Sequence, residues 1–360
     1  MVFAFSLARR RWCVLVVLAA GALAHAGADG KLPALRELPK EVPYVLRTVY
    51  LEDPRLPTWD FAQRSLLYAR LEALLAQWFG YTVKITETGR HDLATYFARH
   101  GPVFRRHAEM IAKVRIDIDQ PGGMERTRQA ISMDFRRREL AQIDGYLRLG
   151  GARTHTEAVE AAAAQFERNF AEIRQIRVGD GDTFWSPVRP ELNSYPHWCA
   201  LQYDTTEADF ILTNTMIVGP DAEMPIYVIS RGGITLGNTN NNPHTAFQGT
   251  TVVGLFPFLS DAPYFLRERG RIPEAERMEA VAMLCLHELG HLLVRCAEYY
   301  DHPHCVHVAP VRLEVLSWYR ALKQRGPCRL PHQKVSSFSS AEANRPPRQL
   351  LGSVLCARPF

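Results

Sequence analysis

The sequence predicts an α+β fold in which a mixed, twisted sheet packs against a long apolar helix and carries a helical insertion. Residues Tyr44–Leu51 and Tyr81–Thr88 have the apolar and β-branched pattern of strands, and Phe61–Phe79 between them has helical spacing. A strand, a helix and a second strand in this order normally place two parallel strands in one sheet. Strand-like segments return between residues 205 and 258, and an apolar helical segment follows from Pro273 to Leu293.

The N-terminus predicts export. Arg9, Arg10 and Arg11 precede an apolar stretch of signal-peptide length, and Ala24-His25-Ala26 supplies small residues for cleavage. We therefore expect a signal peptide over residues 1–26, cleavage near Ala26, and a secreted or periplasmic protein without stable membrane insertion.

Composition narrows the class of protein further. With 47% hydrophobic and 22% charged residues, the chain is globular rather than collagen-like or disordered. Removal of the three leader arginines leaves 40 basic against 38 acidic residues, so there is no electrostatic reason to expect a nucleic-acid partner.

The mature chain divides into four predicted parts. These are the N-terminal part of the core domain at 27–89, a helical insertion with an irregular connection at 90–204, the rest of the core domain at 205–325, and a tail at 326–360. Within the insertion, Thr154 and Glu157 fit a capping box that opens a helix. The predicted strands after it are 208–218, 225–230, 233–237 and 250–258, and the predicted last helix is 310–322.

Cysteine usage agrees with export. Seven cysteines are present, and Cys13 is lost with the leader, which leaves an even number. An even count in an oxidising compartment suggests disulfides. The pair that we expect is Cys296–Cys305, which would brace a short loop locally.

Chemistry is concentrated in His287-Glu288-Leu289-Gly290-His291, an HExxH motif within the predicted apolar helix. Two histidines four positions apart lie on one helical face and can both reach one metal ion. Zinc fits best, because two imidazoles and one further ligand leave a fourth position for water. Glu288 can then take a proton from that water.

These residues and the order of strands and helices resemble the zincin superfamily of zinc metallopeptidases. The resemblance implies a zincin-like catalytic domain with His287 and His291 as metal ligands and Glu288 as general base. It also implies that an edge strand above the metal, here Ile226–Gly237, pairs with an extended peptide substrate.

The third metal ligand is left open by the sequence. Metzincins continue the motif as HExxHxxGxxH, whereas here Val294 and Ala297 occupy the glycine and third-histidine positions. Cys305-Val306-His307 is similar to the Cys-x-Met segment of archaemetzincins, with histidine in place of methionine. The first candidate is His302, which a Cys296–Cys305 bridge would fold back towards the helix. The remaining candidates are His304, Glu298 and Glu314.

The resemblance therefore implies a zinc metallopeptidase acting on peptide or protein substrates. Two alternatives remain open: a zincin-like secreted binding or structural module without catalysis, and a zinc amidase acting on non-protein amides. Oligomeric state, substrate and specificity are not predicted.

Overall fold

A computed structural model gives the fold of this chain. It describes residues 37–114, 121–136, 139–141, 143, 149–184, 192, 194–204, 207–218, 230–231, 233–235, 247, 249–295, 305–308, 310 and 313–328. The predicted signal peptide and the predicted tail beyond residue 328 lie outside the described residues. Among the helices that are described, none combines the length and the apolar character needed to cross a membrane.

The strands of the described residues are, in chain order, β1 Tyr44–Glu52, β2 Val83–Asp92, β3 Arg177–Val178, β4 Asp182–Thr183, β5 Phe210–Thr213, β6 Ile217–Val218, β7 Ser230–Arg231, β8 Gly233–Thr235 and β9 Thr251–Gly254. The helices are α1 Phe61–Phe79, α2 Leu93–Arg99, α3 Gly101–Arg106, α4 Ala108–Val114, α5 Gly123–Phe135, α6 His155–Ile173, α7 Tyr195–Asp204, α8 Phe256–Leu259, α9 Pro263–Arg269, α10 Glu274–Val294 and α11 Val315–Arg325.

The main sheet has five strands in the order β2–β1–β5–β9–β8. The first four strands in this order run parallel, and β8 pairs antiparallel with β9 at one edge, with Ile234 opposite Val252. The fold is thus mixed α/β, with a largely parallel sheet and one antiparallel edge strand. Two short antiparallel pairs, β3–β4 and β6–β7, lie outside this sheet.

The β1–α1–β2 unit confirms the predicted strand–helix–strand start. Asp60 caps α1 by accepting from the backbone N–H of Gln63, whose side chain accepts from the backbone N–H of Asp60. Gly80 ends the helix with φ 75°, a left-handed conformation that favours glycine. Leucines on one face of α1 are buried in the main core.

The chain between β2 and β5 is mostly helical, as expected of the insertion, and its described residues form the six helices α2 to α7. Helices α5 and α6 pack together over a second core that contains Phe135 and Phe166. The end of the segment 90–204, where an irregular connection was expected, is instead helix α7. Trp198–Leu201 in that helix are all fully buried.

Two predicted strands are shorter than expected. The segment 208–218 is divided into β5 and β6 by a turn at Asn214. The segment 250–258 ends as a strand at Gly254, and the α8 helix follows with Pro257 in its first turn. A Cβ atom on Gly254 would lie 2.7 Å from the carbonyl oxygen of Thr215, so the close approach of these two backbones requires glycine.

The long apolar helix is α10, and it confirms the predicted helix from Pro273 to Leu293. It packs against α1 and α11 and against strands β8 and β9. Residues 280–290 of α10 are all buried. The last helix, α11, begins at Val315, later than the predicted start at residue 310.

Candidate metal centre

The HExxH motif lies in the last third of α10, inside the main core. His287 is 1% exposed, Glu288 is 8% exposed, and His291 is half-buried. One ligand atom from each of the three side chains lies within 4.8 Å of the other two. Among the described residues, this is the one group of three or more His, Cys, Asp or Glu side chains that could hold a metal ion.

The two histidines face each other through their Nε2 atoms. The Nε2 atoms of His287 and His291 are 3.2 Å apart, and the rings meet edge to face. Two imidazole nitrogens that share a tetrahedral zinc ion lie about 3.3 Å apart, given zinc–nitrogen bonds near 2.0–2.1 Å. The spacing therefore already matches the one that a shared zinc ion requires.

The other nitrogen of His287 is held by the backbone. Its Nδ1 lies 2.6 Å from the carbonyl oxygen of Val306. A carbonyl can only accept, so Nδ1 carries the proton and donates, which leaves the Nε2 lone pair of neutral His287 pointing at His291. Metal-binding histidines are commonly oriented by a hydrogen bond of this kind. The donor set and its orientation fit zinc.

The carbonyl of Val306 is itself positioned by a short turn, residues 305–308. The backbone N–H of Val308 donates to the carbonyl of Cys305 at 3.0 Å. From α11, the indole Nε1 of Trp318 donates to the carbonyl of Val308 at 2.8 Å. The Trp318 ring also meets the His287 ring edge to face at 6.2 Å. Trp318 thus contacts both the turn and the histidine that the turn orients.

His307 packs on the other side of this turn. It is 2% exposed and stacks on the ring of Phe79, with ring centroids 5.0 Å apart. Gly290 lies under both rings, since a Cβ atom there would be 2.9 Å from Phe79 and 3.3 Å from His307. The glycine within the motif is therefore required by packing.

Glu288 lies beside a second titratable group of the same helix. Burial, and then the nearby charge of Glu288, raises the pKa of the Cys285 thiol, which is fully buried one turn earlier. Cys285 is consequently a neutral thiol at physiological pH.

The helix ends three residues after His291. Arg295 has φ 60° and ψ 33°, a left-handed conformation that is uncommon outside glycine. Its side chain is buried and donates to the carbonyl of Phe247, and burial lowers the pKa of Arg295 to about 10. The chain therefore turns at Arg295, one residue beyond Val294, where metzincins have glycine.

The predicted third ligands are only partly covered by the structure. His302, His304 and Glu298 lie outside the described residues, as does Cys296, so these predictions stay predictions. Glu314 is described at the start of α11 and is not part of the group formed by His287, Glu288 and His291.

Three contributors to the site were not found from the sequence. They are the carbonyl of Val306, the indole of Trp318 and the left-handed turn at Arg295. The sequence drew attention to Cys305-Val306-His307, but it gave no role to the Val306 carbonyl, and no sequence pattern pointed to Trp318 or Arg295.

The sequence was compared with known proteins. No family model matches it, and no curated protein matches it. A solved structure, the crystal structure of archaemetzincin from Methanopyrus kandleri, is similar to this chain with 14% sequence identity, over 78% of this chain and 94% of that one, at a TM-score of 0.28.

Proposed function

We propose that this protein is a secreted or periplasmic zinc-dependent metallopeptidase with a zincin-like catalytic domain. One observation carries the proposal: the Nε2 atoms of His287 and His291 lie 3.2 Å apart while the carbonyl of Val306 holds Nδ1 of His287. This is the separation of two imidazole nitrogens that bind one tetrahedral zinc ion.

In this proposal His287 and His291 hold the zinc ion, and His302 is the first candidate for a third ligand. Zinc held there supplies a Lewis acid that lowers the pKa of bound water to near 7. Glu288, whose ligand oxygen is within 4.8 Å of both histidine nitrogens, takes the proton of the attacking water. Glu288 then donates that proton to the leaving amine.

The surroundings of Glu288 suit a proton carrier. The carboxylate is 8% exposed and lies on a helix whose neighbouring side chains are apolar. Bulk water has little access to it, so a proton taken from the attacking water is retained for the leaving group.

The edge strand β8 supports a peptide as the substrate. Among the described strands of the main sheet, β8 is an edge strand that pairs antiparallel with β9, and it packs beside α10. An extended peptide can add to such an edge by backbone hydrogen bonds, which places a peptide bond near the helix that carries Glu288.

The test is the variant Glu288→Gln, which keeps the side-chain shape and removes the base. We expect loss of at least about a hundredfold in cleavage of unfolded casein and of a mixed peptide library. Bound zinc, measured by elemental analysis, should stay near the wild-type amount. Glu279→Gln is the matched control, because Glu279 lies on the same helix in an ion pair with Arg70 that is partly exposed.

The alternative is a zincin-like binding or structural module without catalysis, and the departures at Val294 and Ala297 motivate it. It predicts that the wild-type protein cleaves no peptide, and it does not require bound zinc. Cleavage that survives in Glu288→Gln would contradict the proposed role of Glu288. Wild-type protein that binds no zinc would contradict the peptidase and favour the module.

A further inference from the structure

The carboxyl-terminal end of α10 is capped by residues from another part of the chain. The last carbonyl groups of a helix have no partner within the helix. Here the carbonyl of Leu293 accepts the backbone N–H of Leu38 at 3.2 Å and lies 3.2 Å from the hydroxyl oxygen of Tyr81. Leu293 is fully buried, so without these donors its carbonyl would be an unpaired polar group inside the core.

Tyr81 joins the helix to residues 37–40, the N-terminal strap, which precedes β1. Its side chain is fully buried, and besides the contact to Leu293 its hydroxyl lies 3.0 Å from the carbonyl oxygen of Leu38 and 3.2 Å from Oε1 of Glu37. Burial, and then the charge of Glu37, raises the pKa of Tyr81, so the hydroxyl keeps its proton at physiological pH. Tyr81 is therefore a hydrogen-bond donor at this junction.

The N-terminal strap is held by further contacts. The hydroxyl of Tyr44, at the start of β1, donates to the carbonyl of Pro39 at 2.8 Å. The ammonium group of Lys40 lies 5.7 Å from the centre of the Tyr81 ring. The side chain of Leu38 packs against the main core. These contacts fasten the strap at three successive residues and direct the N–H of Leu38 at α10.

The capped carbonyl lies within the turn of α10 that carries one of the two facing histidines. His291 is in the last turn of the helix, two residues before Leu293. The ends of a helix open more readily than its middle, and an opened last turn would carry the His291 ring away from His287. The cap therefore stabilises the part of α10 on which the 3.2 Å separation of the two Nε2 atoms depends.

The chain beyond the cap is fixed from the same side. Arg295, two residues after Leu293, has the left-handed conformation and donates to the carbonyl of Phe247. The centroid of the Phe247 ring lies 5.7 Å from that of Tyr44, which lies 6.2 Å from that of Tyr81. One aromatic cluster thus supports both the cap and the turn at Arg295.

We propose that Tyr81 and Leu38 are positioning residues for the zinc centre. By capping α10 from outside the helix, they hold His291 opposite His287. The capping requires no metal ion, whereas its effect on zinc binding rests on the proposed function. The support of the motif thus comes from a distant part of the sequence, since Tyr81 lies 212 positions before Leu293.

The first measurement is amide hydrogen exchange at the end of α10 in the metal-free full chain. The variant Tyr81→Phe keeps the buried ring and removes the hydroxyl. Residues 291–294 should then exchange about fivefold faster, because a buried hydrogen bond that supports the closed turn is lost. Exchange at the wild-type rate overturns the proposed capping.

Tyr68→Phe is the matched control for that variant. Tyr68 lies on α1 in the same core, and its hydroxyl donates to Glu87 at 2.7 Å. Both variants should lose about 2 °C in Tm, as expected for one hydrogen bond in a chain of this size. Only Tyr81→Phe should speed exchange at 291–294, and equal acceleration in the two variants overturns the proposal.

The second measurement asks whether the cap positions the metal ligands. Tyr81→Phe should bind zinc about tenfold more weakly in a chelator competition, because a group that supports a metal-binding histidine is lost. The visible absorption bands of its cobalt-substituted form, which report ligand geometry, should also differ from those of wild type. A lower Tm with the zinc affinity and the cobalt spectrum of wild type indicates a role in stability alone and overturns the positioning role.

Leu38→Pro tests the second donor, because proline has no backbone N–H. Leu38→Ala is its control, since it shortens the side chain and keeps the N–H that Leu293 accepts. Leu38→Pro should speed exchange at 291–294 and weaken zinc binding as Tyr81→Phe does, and Leu38→Ala should do neither. Similar behaviour of the two Leu38 variants overturns the role of the N–H.

These outcomes are distinct from a failure of the proposed function. Wild-type protein that binds zinc and cleaves peptide, together with a Tyr81→Phe variant of unchanged zinc affinity and exchange, overturns the positioning role alone. Wild-type protein that binds no zinc overturns the peptidase and the positioning role together, and exchange at 291–294 still decides whether the N-terminal strap caps α10.

Discussion

Nδ1 of His287 lies 2.6 Å from the carbonyl oxygen of Val306, although the two residues are 19 positions apart in the sequence. The hydrogen bond joins the interior of α10 to a turn that precedes α11. Because the acceptor is a backbone carbonyl, the tautomer of His287 is set by how the chain folds. The orientation of the His287 ring therefore depends on residues that lie well outside the HExxH motif.

A substitution of Trp318 tests whether the orientation of His287 depends on the turn that carries Val306. The variant Trp318→Phe keeps an aromatic ring beside His287 and removes the N–H that donates to the carbonyl of Val308. We expect zinc affinity to fall about tenfold, because the turn no longer holds the Val306 carbonyl in place. The measurement is a zinc competition with a coloured chelator.

Trp78→Phe is the control for that substitution, since Trp78 is a partly buried tryptophan on α1 that packs against the same core. Similar losses of zinc affinity in the two variants would indicate general loosening of the core. A loss confined to Trp318→Phe would indicate that the turn orients His287.

The substitution Gly290→Ala has two opposing effects on the free energy of unfolding. Alanine normally stabilises a helix interior by about 1 kcal/mol relative to glycine. Here its Cβ atom would lie 2.9 Å from the Phe79 ring, and overpacking of this kind costs about 1–3 kcal/mol. We expect Gly290→Ala to lower the free energy of unfolding, measured by urea denaturation.

The double variant Gly290→Ala with Phe79→Leu separates the contact from other effects. If the Phe79 ring causes the loss, the two substitutions should be less destabilising together than the sum of their separate effects. Additive effects, or a Gly290→Ala variant that is more stable than wild type, would contradict the close packing of Gly290 under Phe79.

The parts of the fold that depend on local pattern could be predicted from the sequence. The spacing of the leucines and the final Gly80 predict α1. The apolar helical segment predicts α10 and shows that His287 and His291 lie on the same face of that helix. Helix α7 could not be predicted, because Trp198–Leu201 are buried at consecutive positions and such a run has no helical period.

The site was predictable only as far as its own helix extends. The motif supplies His287, Glu288 and His291 by spacing alone. The Val306 carbonyl has no residue-type signature, since any residue presents a carbonyl. The turn at Arg295 could not be predicted either, because a left-handed conformation is expected of glycine. Here the buried side chain of Arg295 holds this conformation by donating to the carbonyl of Phe247.

Zinc should stabilise the folded protein through the two facing histidines. A ligand that binds only the folded state at a hundred times its Kd adds about 2.7 kcal/mol to the free energy of unfolding. For a chain of this size, this corresponds to a rise in Tm of about 4 °C. We expect this rise when zinc is added to metal-stripped wild-type protein, followed by calorimetry.

His291→Ala should lose most of this rise, because one imidazole remains and its Nε2 no longer has a partner 3.2 Å away. His155→Ala is the control, since His155 is exposed at the start of α6 in the insertion. An equal zinc-dependent rise in wild type and in His291→Ala would place the bound zinc elsewhere in the chain.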